Sequence, residues 1–530
     1  MKINKSQSAH SYFTFFIHNL LPPLAAISMA MPFLFYSAGW LSLVCVVPFL
    51  YFLDLQFGKL TRKNFVLSVW AIGVIFNFIV VGWILNTRPD NWAYIPGWQG
   101  AIALTIIYTL VVLFLSLQFL LFGIIYSRLR PNLFSAKVFI ILPSIWVVAE
   151  VLRSIIFSIA AFGPGGSIGT HWNFGVLGLA GSVTPLGFSA RLVGLYGVSF
   201  LIVVINLCVF WLLHKRYKLP LIVLAVVLLL SMLGYKIYDS TGGNKLTIGL
   251  LQLDSRSNPT SANDNYVGRF ESELESKNIA PNSIDLLVLP EYSDFYREEN
   301  KTTAIDITKR YLMPEGGVVT SVDGHATEKA TNDLEVFNID GSVRSRFAKQ
   351  FLIPVGEYMP NIVSILLRLF GQREALEIAN SSQVIDQGKV NIMPVTIAGV
   401  KVGSLACSGI IAPEFYRGLS ANGAQILTNS AALAMFTNAP LYHAQSRQMA
   451  RFHAIANAKP FIQASEGAYS YAIDSNGHFV FRTNQIGQHF ESVTLLTNSQ
   501  KTLYSILGEW LALLCGVFVV ALIVNSYRKH

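Results

Sequence analysis

The chain has 530 residues and a mean hydropathy of +0.49, and 13% of its residues are charged, against roughly 25% in ordinary soluble proteins. These values exclude a disordered chain and a purely soluble one. Residues 1–243 hold 15 Lys/Arg and four acidic residues, whereas residues 244–503 hold 22 Lys/Arg and 25 acidic residues. The positive charge therefore belongs to the apolar half, in short clusters between apolar runs. This pattern argues against a nucleic-acid partner and for a protein of the membrane bilayer that carries one large polar domain.

Apolar runs of membrane-spanning length fill the first half of the chain. A span needs about 20 mostly apolar residues. Seven runs precede the polar domain, and an eighth follows it: 12–30, 32–53, 64–86, 101–125, 137–159, 191–213, 219–236 and 504–525. The predicted organisation is a membrane domain of seven helices over 1–243, a polar domain over 244–503, and a final helix with a cytoplasmic tail over 504–530.

The basic residues between these runs predict the orientation, because cytoplasmic connections are enriched in Lys and Arg. One side receives thirteen of them: Lys2, Lys5, Lys59, Arg62, Lys63, Arg128, Arg130, Lys137, Lys215, Arg216, Lys218, Arg528 and Lys529. The connections on the other side hold Arg88, with Arg191 at the edge of a span. We therefore expect both termini in the cytoplasm and residues 237–503 outside it. Within the fifth run, Glu150 and Arg153 lie three residues apart, which allows an internal ion pair.

Two further segments have two interpretations each. Residues 162–190 are rich in Gly and contain His171 and Trp172, so they form either an interfacial re-entrant loop or a wall of a lipid-access route. Residues 361–381 form an amphipathic stretch, which is either a helix packed on the polar domain or an arm that dips into lipid.

The four cysteines do not form a disulfide framework. Cys45, Cys208 and Cys515 fall inside apolar runs, where cysteine behaves as a small buried hydrophobe. Only Cys407 lies in the polar domain, so it has no partner there and is either inert or a reactive thiol. No CxxC pair or zinc-type histidine spacing occurs, and we expect neither a metal nor a cofactor.

The polar domain alternates short β-rich runs with helical stretches, a pattern that predicts an α/β layered fold. In such folds the functional residues collect just past strand ends. Glu291 ends the run LLVLPE, Lys349 follows the hairpin 337–347, and Cys407 ends VKVGSLAC. A carboxylate, an ammonium and a thiol together suit acyl chemistry, because they supply a base, an oxyanion partner and a nucleophile. A neighbouring Lys is also expected to lower the thiol pKa.

LPEYS (289–293), KQFLIPVGEYMP (349–360) and a strand-ending Cys resemble the carbon–nitrogen hydrolase (nitrilase) superfamily with its Glu-Lys-Cys triad. With seven spans before that domain and one after it, nearly the whole chain resembles the apolipoprotein N-acyltransferase family of bacterial inner membranes. The resemblance implies an αββα catalytic sandwich outside the cytoplasm. It also implies Glu291 as general base, Lys349 as oxyanion stabiliser, Cys407 as nucleophile and Glu357 as a supporting carboxylate.

The chain departs from the family pattern at two blocks. The family follows its Cys with an aromatic residue and Glu, whereas here Ser408 and Gly409 follow Cys407. Its Asn-Asp-Ala-Trp-Phe-Gly block reads NSAALA at 429–434 here, with Ser430 in place of Asp. The backbone N–H of Ser408 still suits an oxyanion, since that role needs no side chain. Both departures bear on substrate preference and activity.

The resemblance implies a two-step acyl transfer. A phospholipid acyl donor would form a thioester, and a diacylglyceryl-modified apolipoprotein would accept the chain, with the enzyme acting as a monomer. A membrane-tethered amidase or nitrilase-type hydrolase and a catalytically inactive lipoprotein-binding relative are the alternatives. A cysteine-protease arrangement of Cys407 with His443 or His453 is a weaker one.

Overall fold

The computed structural model describes residues 20–87, 97–238, 243–254, 266–324, 331–369, 371, 385 and 392–528. Its first part is helical. The α-helices are α1 Leu21–Leu34, α2 Val47–Gln56, α3 Arg62–Val80, α4 Gly97–Leu115, α5 Leu117–Leu129, α6 Val138–Ala160, α7 Leu177–Gly181, α8 Ala190–Leu213 and α9 Lys218–Ile237. Short 3-10 segments lie between them at Tyr36–Leu43, Gly82–Asn86 and Pro185–Ser189.

Six of the predicted runs are helical stretches long and apolar enough to cross a membrane: Arg62–Asn86, Gly97–Leu129, Val138–Ala160, Pro185–Leu213, Lys218–Ile237 and Trp510–Arg528. The run 32–53 forms a pair of helices bent by 40°. Of the run 12–30, the part before residue 20 lies outside the described residues, and α1 has 14 residues with Pro22 and Pro23 in its first turn. The described part of the chain thus has six membrane-length helices, or seven if the bent pair is one span.

The break in α8 and the late start of the last span have one common cause. Gly194 has φ 73° inside α8, a conformation that other residues rarely adopt. The carboxylate of Glu509 accepts hydrogen bonds from the backbone N–H groups of Leu195 (2.9 Å) and Tyr196 (3.2 Å), which the break leaves free. Because Glu509 must reach this point, the predicted run 504–525 divides, and the spanning helix begins at Trp510.

The second part is a sandwich of two six-stranded mixed sheets. The strands are β1 Lys245–Gln252, β2 Ile284–Glu291, β3 Leu312–Gly324, β4 Thr331–Phe337, β5 Val343–Ala348, β6 Val395–Ile397, β7 Val400–Ala406, β8 Ile426–Ala432, β9 Phe461–Glu466, β10 Tyr471–Ile473, β11 Phe479–Arg482 and β12 His489–Leu496. Their orders are β12-β1-β2-β3-β4-β5 and β11-β10-β9-β8-β7-β6. The central pairs of each sheet (β1–β2–β3 and β7–β8–β9) are parallel.

Helices cover both outer faces. The helices of this part of the described chain are α10 Tyr266–Ser276, α11 Lys301–Tyr311, α12 Asn361–Leu369, α13 Pro413–Ala421, α14 Pro440–Asn457, α15 Leu503–Leu507 and the membrane-length α16 Trp510–Arg528, and α10, α11, α13 and α14 are the ones that cover the sheets. Leu250, Val288 and Val319 are neighbours across β1, β2 and β3 and share one core with Val402 and Ile462 of the other sheet. Helices α10 and α11 pack on the first sheet, and α13 and α14 pack on the second. The predicted αββα sandwich on a helical membrane domain is confirmed.

Helix α14 attaches the sandwich to the membrane helices. Gln445 donates to the carbonyl of Val80, the last residue of α3 (2.8 Å), and Gln448 donates to that of Pro32 near the end of α1 (2.9 Å). The last carbonyls of a helix have no partner within the helix, so these amides satisfy them. The buried guanidinium of Arg191 adds bonds to the carbonyls of Ile455 and Ser475. The sandwich is therefore fixed against one end of the helical domain.

Two charged residues of α6 bind backbone groups. Glu150 accepts from the indole of Trp146 (2.9 Å) and from the N–H of Leu177 (3.1 Å), while Arg153 donates to the carbonyl of Phe174 (3.0 Å). Both side chains are fully buried. Within the described residues their direct ion pair does not form, and both instead hold the 172–177 loop against α6.

Candidate active site

The candidate nucleophile lies at a sharp turn at the end of a parallel strand. Strand β7 ends at Ala406, and Cys407 begins a 3-10 turn, Cys407–Ile411, with φ 37°. Left-handed backbone at a non-glycine residue is strained, and such residues cluster at functional sites. The thiol donates to the carbonyl of Ala432 (3.6 Å) and lies within hydrogen-bonding reach of the Glu291 carboxylate. The turn thus directs the thiol to the candidate base.

The first sheet supplies that carboxylate. Glu291 ends β2 and is 2% exposed. One of its oxygens, Oε1, accepts from Lys349 Nζ (2.9 Å) and from Asn332 Nδ2 (2.5 Å), while Oε2 accepts from the N–H of Ala432 (3.1 Å). Both oxygens are thus held in place by three donors, one of which belongs to the opposite sheet.

Lys349 lies between two carboxylates. Its ammonium also donates to Glu357 Oε1 at 2.6 Å, and Glu357 Oε2 accepts from the N–H of Ile353 at 2.9 Å. The N–H of Lys349 itself donates to the carbonyl of Asn332 at 2.7 Å. The structure therefore brings together Glu291, Lys349, Glu357 and Cys407, as the resemblance implies.

Burial and charge together set the protonation of the site. Burial alone would lower the pKa of the Lys349 ammonium, but Glu291 and Glu357 raise that pKa well above its usual value. Burial raises the pKa of Glu357, against the opposing charge of Lys349. Lys349 therefore remains a cation at neutral pH, where it can stabilise a developing oxyanion.

Lys349 lowers the pKa of the Cys407 thiol, as expected, but other effects outweigh this contribution. Burial raises the pKa of Cys407 well above its usual value, and Glu291 raises it further, while Lys349 opposes the shift without reversing it. The physical reason is that desolvation and two carboxylates outweigh one ammonium. The Cys407 thiol is therefore neutral at rest, and it would need a base to act as a nucleophile.

The two blocks that depart from the family pattern support the Cys407 turn. Ser408 Oγ donates to the carbonyl of Phe351 (2.5 Å), which ties the turn to the Lys349 loop. Asn429 Nδ2 donates to the carbonyl of Cys407 (3.3 Å). Ala432 contributes backbone groups only, since its N–H bonds Glu291 and its carbonyl accepts the thiol. The substituted side chains therefore leave the contacts among the triad residues in place.

Residues from the membrane domain form one wall of the site. The ring of His171 lies 4.6 Å from that of Phe351 between centroids, and its Nδ1 contacts the Glu414 carboxylate. Tyr358 Oη donates to the carbonyl of Ala161 (2.8 Å). The 161–190 segment thus contacts the loop that carries Lys349 and Glu357. Its role in lipid access stays a prediction.

Aromatic rings lie between the site and the membrane helices. Phe436 and Tyr442 stack at 3.9 Å between centroids, and Trp83 lies 5.5 Å and 5.2 Å from them. Tyr442 is close enough for the charge of Cys407 to act on it, and burial raises its pKa well above the usual value. This side of the site is therefore apolar.

The described part of the amphipathic stretch is α12, whose first N–H donates to the carbonyl of Phe162 at 2.9 Å. Ile362, Ile365 and Leu369 are 45%, 54% and 76% exposed. This apolar face does not pack on the sandwich, which favours the interpretation as a lipid-facing arm. The rest of 361–381 lies outside the described residues, apart from Gly371.

Neither histidine of the cysteine-protease alternative reaches the thiol. His453 Nε2 bonds the carbonyl of Ile410 (2.7 Å), and burial lowers its pKa to about 4. The ring of His443 packs on Tyr469, 5.3 Å between centroids. Sequence reasoning missed Asn332, although a run of polar residues (Thr331, Asn332 and Asp333) on a fully buried strand was a signal for it.

Comparison with known proteins divides the chain at the same place as the fold. Residues 25–208 match the apolipoprotein N-acyltransferase N-terminal domain, and residues 247–496 match the carbon-nitrogen hydrolases. The apolipoprotein N-acyltransferase of Geobacter metallireducens is 27% identical over 73% of this chain and 74% of its own length. The apolipoprotein N-acyltransferase 1 of Treponema denticola is 24% identical over 98% of both chains.

Among solved structures, a carbon-nitrogen hydrolase from Helicobacter pylori is 17% identical, covers 48% of this chain and 89% of its own, and has a TM-score of 0.36. A nitrilase-superfamily protein from Saccharomyces cerevisiae is 17% identical, covers 48% and 90%, and has a TM-score of 0.34.

The fold and the buried Glu-Lys-Cys constellation define a membrane-anchored enzyme of the carbon–nitrogen hydrolase superfamily. The two domain matches occur in one chain, and the similarity to the Treponema denticola relative extends over nearly the whole length of both chains. The chain belongs to the apolipoprotein N-acyltransferase family, and it is an acyltransferase.

Proposed function

We propose that the protein transfers an acyl chain from a phospholipid, through a thioester on Cys407, to the α-amino group of the diacylglyceryl-cysteine of apolipoproteins. The observation that carries this proposal is the buried Glu291–Lys349–Glu357 array beside the thiol. Its position against the membrane helices supports lipid substrates, because both reactants would present their reacting groups at the bilayer surface.

In the first half-reaction Glu291 takes the proton of the Cys407 thiol, and the thiolate attacks an ester carbonyl of the phospholipid. The Lys349 ammonium and the backbone N–H of Ser408 stabilise the oxyanion. Collapse of the tetrahedral intermediate breaks the ester C–O bond, and Glu291 returns the proton to the leaving alkoxide. The products are a Cys407 thioester and a lysophospholipid.

In the second half-reaction the amine of the lipid-modified cysteine attacks the thioester carbonyl. Glu291 accepts the proton that the attacking nitrogen loses, and the thiolate leaves. Returning that proton to Cys407 restores the resting enzyme. One carboxylate thus serves both halves of a ping-pong cycle as base and acid.

We also propose an inner-membrane location with the sandwich in the periplasm and both termini in the cytoplasm. The ends of α1 and α3 and the residue after α6 bond the sandwich through the carbonyls of Pro32, Val80 and Ala161. The basic clusters at 59–63 and 128–137 lie at the opposite ends of α3 and α6, and the cluster at 215–218 lies at the end of α8 opposite Arg191. The charge pattern supports a sandwich outside the cytoplasm. Since one chain supplies all the triad residues, we propose that it acts as a monomer.

The test is intact-protein mass spectrometry of the detergent-purified chain after incubation with a defined phospholipid, with Cys407→Ala alongside. We expect a hydroxylamine-labile adduct of acyl mass on the wild type alone. A lipopeptide with a diacylglyceryl-modified N-terminal cysteine should then remove the adduct and gain its mass. Persistence of the adduct on Cys407→Ala, or loss of the acyl chain only to water, would refute the proposal; the second result would indicate a hydrolase.

A further inference from the structure

Three arginines of the catalytic sandwich surround one tyrosine of the membrane domain. Tyr36 begins the 3-10 segment Tyr36–Leu43, between α1 and α2. The guanidinium of Arg447 on α14 lies 5.5 Å from the centre of the Tyr36 ring, and Arg451, one turn further on, lies 3.5 Å from its hydroxyl. Arg482, at the end of β11, is close enough for its charge to act on both Tyr36 and Arg447. We call these four residues the Tyr36 cluster.

Within the part of the chain that the structure describes, the positive charge of this cluster has no paired carboxylate. Among the residues that the structure describes, none of its three arginines forms an ion pair with a carboxylate. Burial is the largest effect that lowers the pKa of Arg447, and the like charge of Arg482 lowers this pKa further. Holding like charges together costs free energy, and a bound anion would offset that cost.

The three guanidinium groups are not equally free to bind a ligand. The guanidinium of Arg451 already bonds backbone groups, since it donates to the carbonyls of Ser182 (2.8 Å) and Gly477. Arg447 donates through its Nε to the carbonyl of His443 at 3.2 Å, and among the described residues no hydrogen bond of its two terminal nitrogens is found. Arg482 is exposed. Arg447 and Arg482 are therefore the groups available to an anion.

The surroundings of the cluster indicate the kind of anion. Phe35, which precedes Tyr36, and Trp40 and Leu41 of the same 3-10 segment are large apolar residues that are exposed. Exposed apolar side chains beside membrane helices contact acyl chains. The connections on this side of the membrane domain are poor in basic residues, so the cluster is a local concentration of positive charge.

We propose that the Tyr36 cluster binds the phosphate group of a membrane phospholipid, with Arg447 and Arg482 as its ligands and with the acyl chains against Phe35 and Trp40. Guanidinium groups bind phosphate oxygens through paired, charge-assisted hydrogen bonds. A lipid held there would occupy the seam between the sandwich and the membrane helices. The site lies apart from the Glu291–Lys349–Cys407 array and does not depend on the proposed acyl transfer.

The test is native mass spectrometry of the full chain in detergent, titrated with phosphatidylglycerol and, separately, with a diacylglycerol that has the same acyl chains and no phosphate. The Cys407→Ala background prevents consumption of the lipid. We expect one phosphatidylglycerol to be retained in preference to the diacylglycerol. The double variant Arg447→Gln/Arg482→Gln should weaken its retention about tenfold, which is the order expected for a charge-assisted bond to an anion.

Three controls make the result specific. Arg297→Gln, an exposed arginine of the sandwich outside the cluster, should bind as the parent does. Arg447→Lys should bind between the parent and Arg447→Gln, because it keeps the charge but loses the paired hydrogen bonds of the guanidinium. Arg482→Gln alone changes an exposed side chain and should weaken retention without lowering the melting temperature. Equal retention by parent and double variant, equal retention of both lipids, or displacement of phosphatidylglycerol by millimolar inorganic phosphate would each overturn the proposal.

Discussion

Asn332 holds the candidate base in position, and its side chain can be removed without disturbing the backbone around it. Its amide donates to Glu291 Oε1 at 2.5 Å and to Tyr292 Oη at 2.9 Å. Its carbonyl separately accepts the N–H of Lys349. Asn332→Ala therefore deletes one of three donors to the carboxylate and keeps the contact that positions the lysine loop.

The expected effect follows from the strength of that one bond. A hydrogen bond to a charged group contributes about 1.5–3 kcal/mol. If this free energy serves to orient Glu291 for proton transfer, its loss slows acylation about 10- to 100-fold. The effect should appear in the rate constant for thioester formation more than in the phospholipid concentration at half saturation, because Asn332 contacts the base.

The assay is single-turnover formation of the acyl-enzyme with a fluorescent phospholipid, followed by gel fluorescence after quenching at short times. The matched control is Asn338→Ala, at the turn between β4 and β5, where the side chain bonds Ser342 and Arg344 rather than the triad. It should acylate at the parent rate. An Asn332→Ala chain with an unchanged melting temperature that acylates within twofold of the parent would refute the argument that this amide positions the base.

Three further predictions test the electrostatics. Alkylation of Cys407 by iodoacetamide should become faster with increasing pH through pH 9, because burial and Glu291 raise the thiol pKa. Glu291→Gln should shift this increase in rate to lower pH. A rate that reaches its plateau below pH 8 in the parent would contradict the raised thiol pKa. Burial lowers the pKa of Lys459 to about 7 in the folded chain. Above that pH the unfolded chain binds one more proton than the folded chain, so the free energy of unfolding should rise with pH, by at most ~1.4 kcal/mol per pH unit. Melting curves of Lys459→Met measured from pH 7 to 9 should lack this rise in stability. An equal rise in the variant and in the parent would refute the assignment to Lys459. Ser408→Ala loses the bond to Phe351 but keeps its N–H, so acylation should slow by less than about tenfold, and complete loss of the adduct would show that the hydroxyl itself is required.

The large-scale architecture followed from patterns that act over many residues. Apolar runs of fixed length predicted the membrane helices, and alternating strands and helices predicted the layered domain. Because β2 and β7 are central parallel strands of facing sheets, residues at their carboxyl ends meet across the sandwich. That geometry brought Glu291 and Cys407 together, as strand-end reasoning expected.

Properties that depend on three-dimensional burial could not be derived in the same way. Lys349 lowers the thiol pKa, as its proximity predicted, but the net shift is upward because desolvation is the largest effect and depends on burial in the folded chain. The break at Gly194 requires Glu509, more than 300 residues later in the chain, and local propensity gives no sign of this contact. Asn332 became interpretable only when β4 was seen beside Glu291.

The raised thiol pKa suits the proposed cycle, since the buried array has a fixed charge to maintain. At rest it holds the Lys349 cation between the side chains of Glu291 and Glu357, beside the neutral thiol of Cys407. Moving the thiol proton to Glu291 exchanges one anion for another and leaves the total charge unchanged, whereas loss of that proton to water would add a buried negative charge. The site therefore favours ionisation of the nucleophile only together with protonation of its base. The same proton is then available to the leaving alkoxide, so a neutral resting thiol and an efficient first half-reaction have a common electrostatic origin.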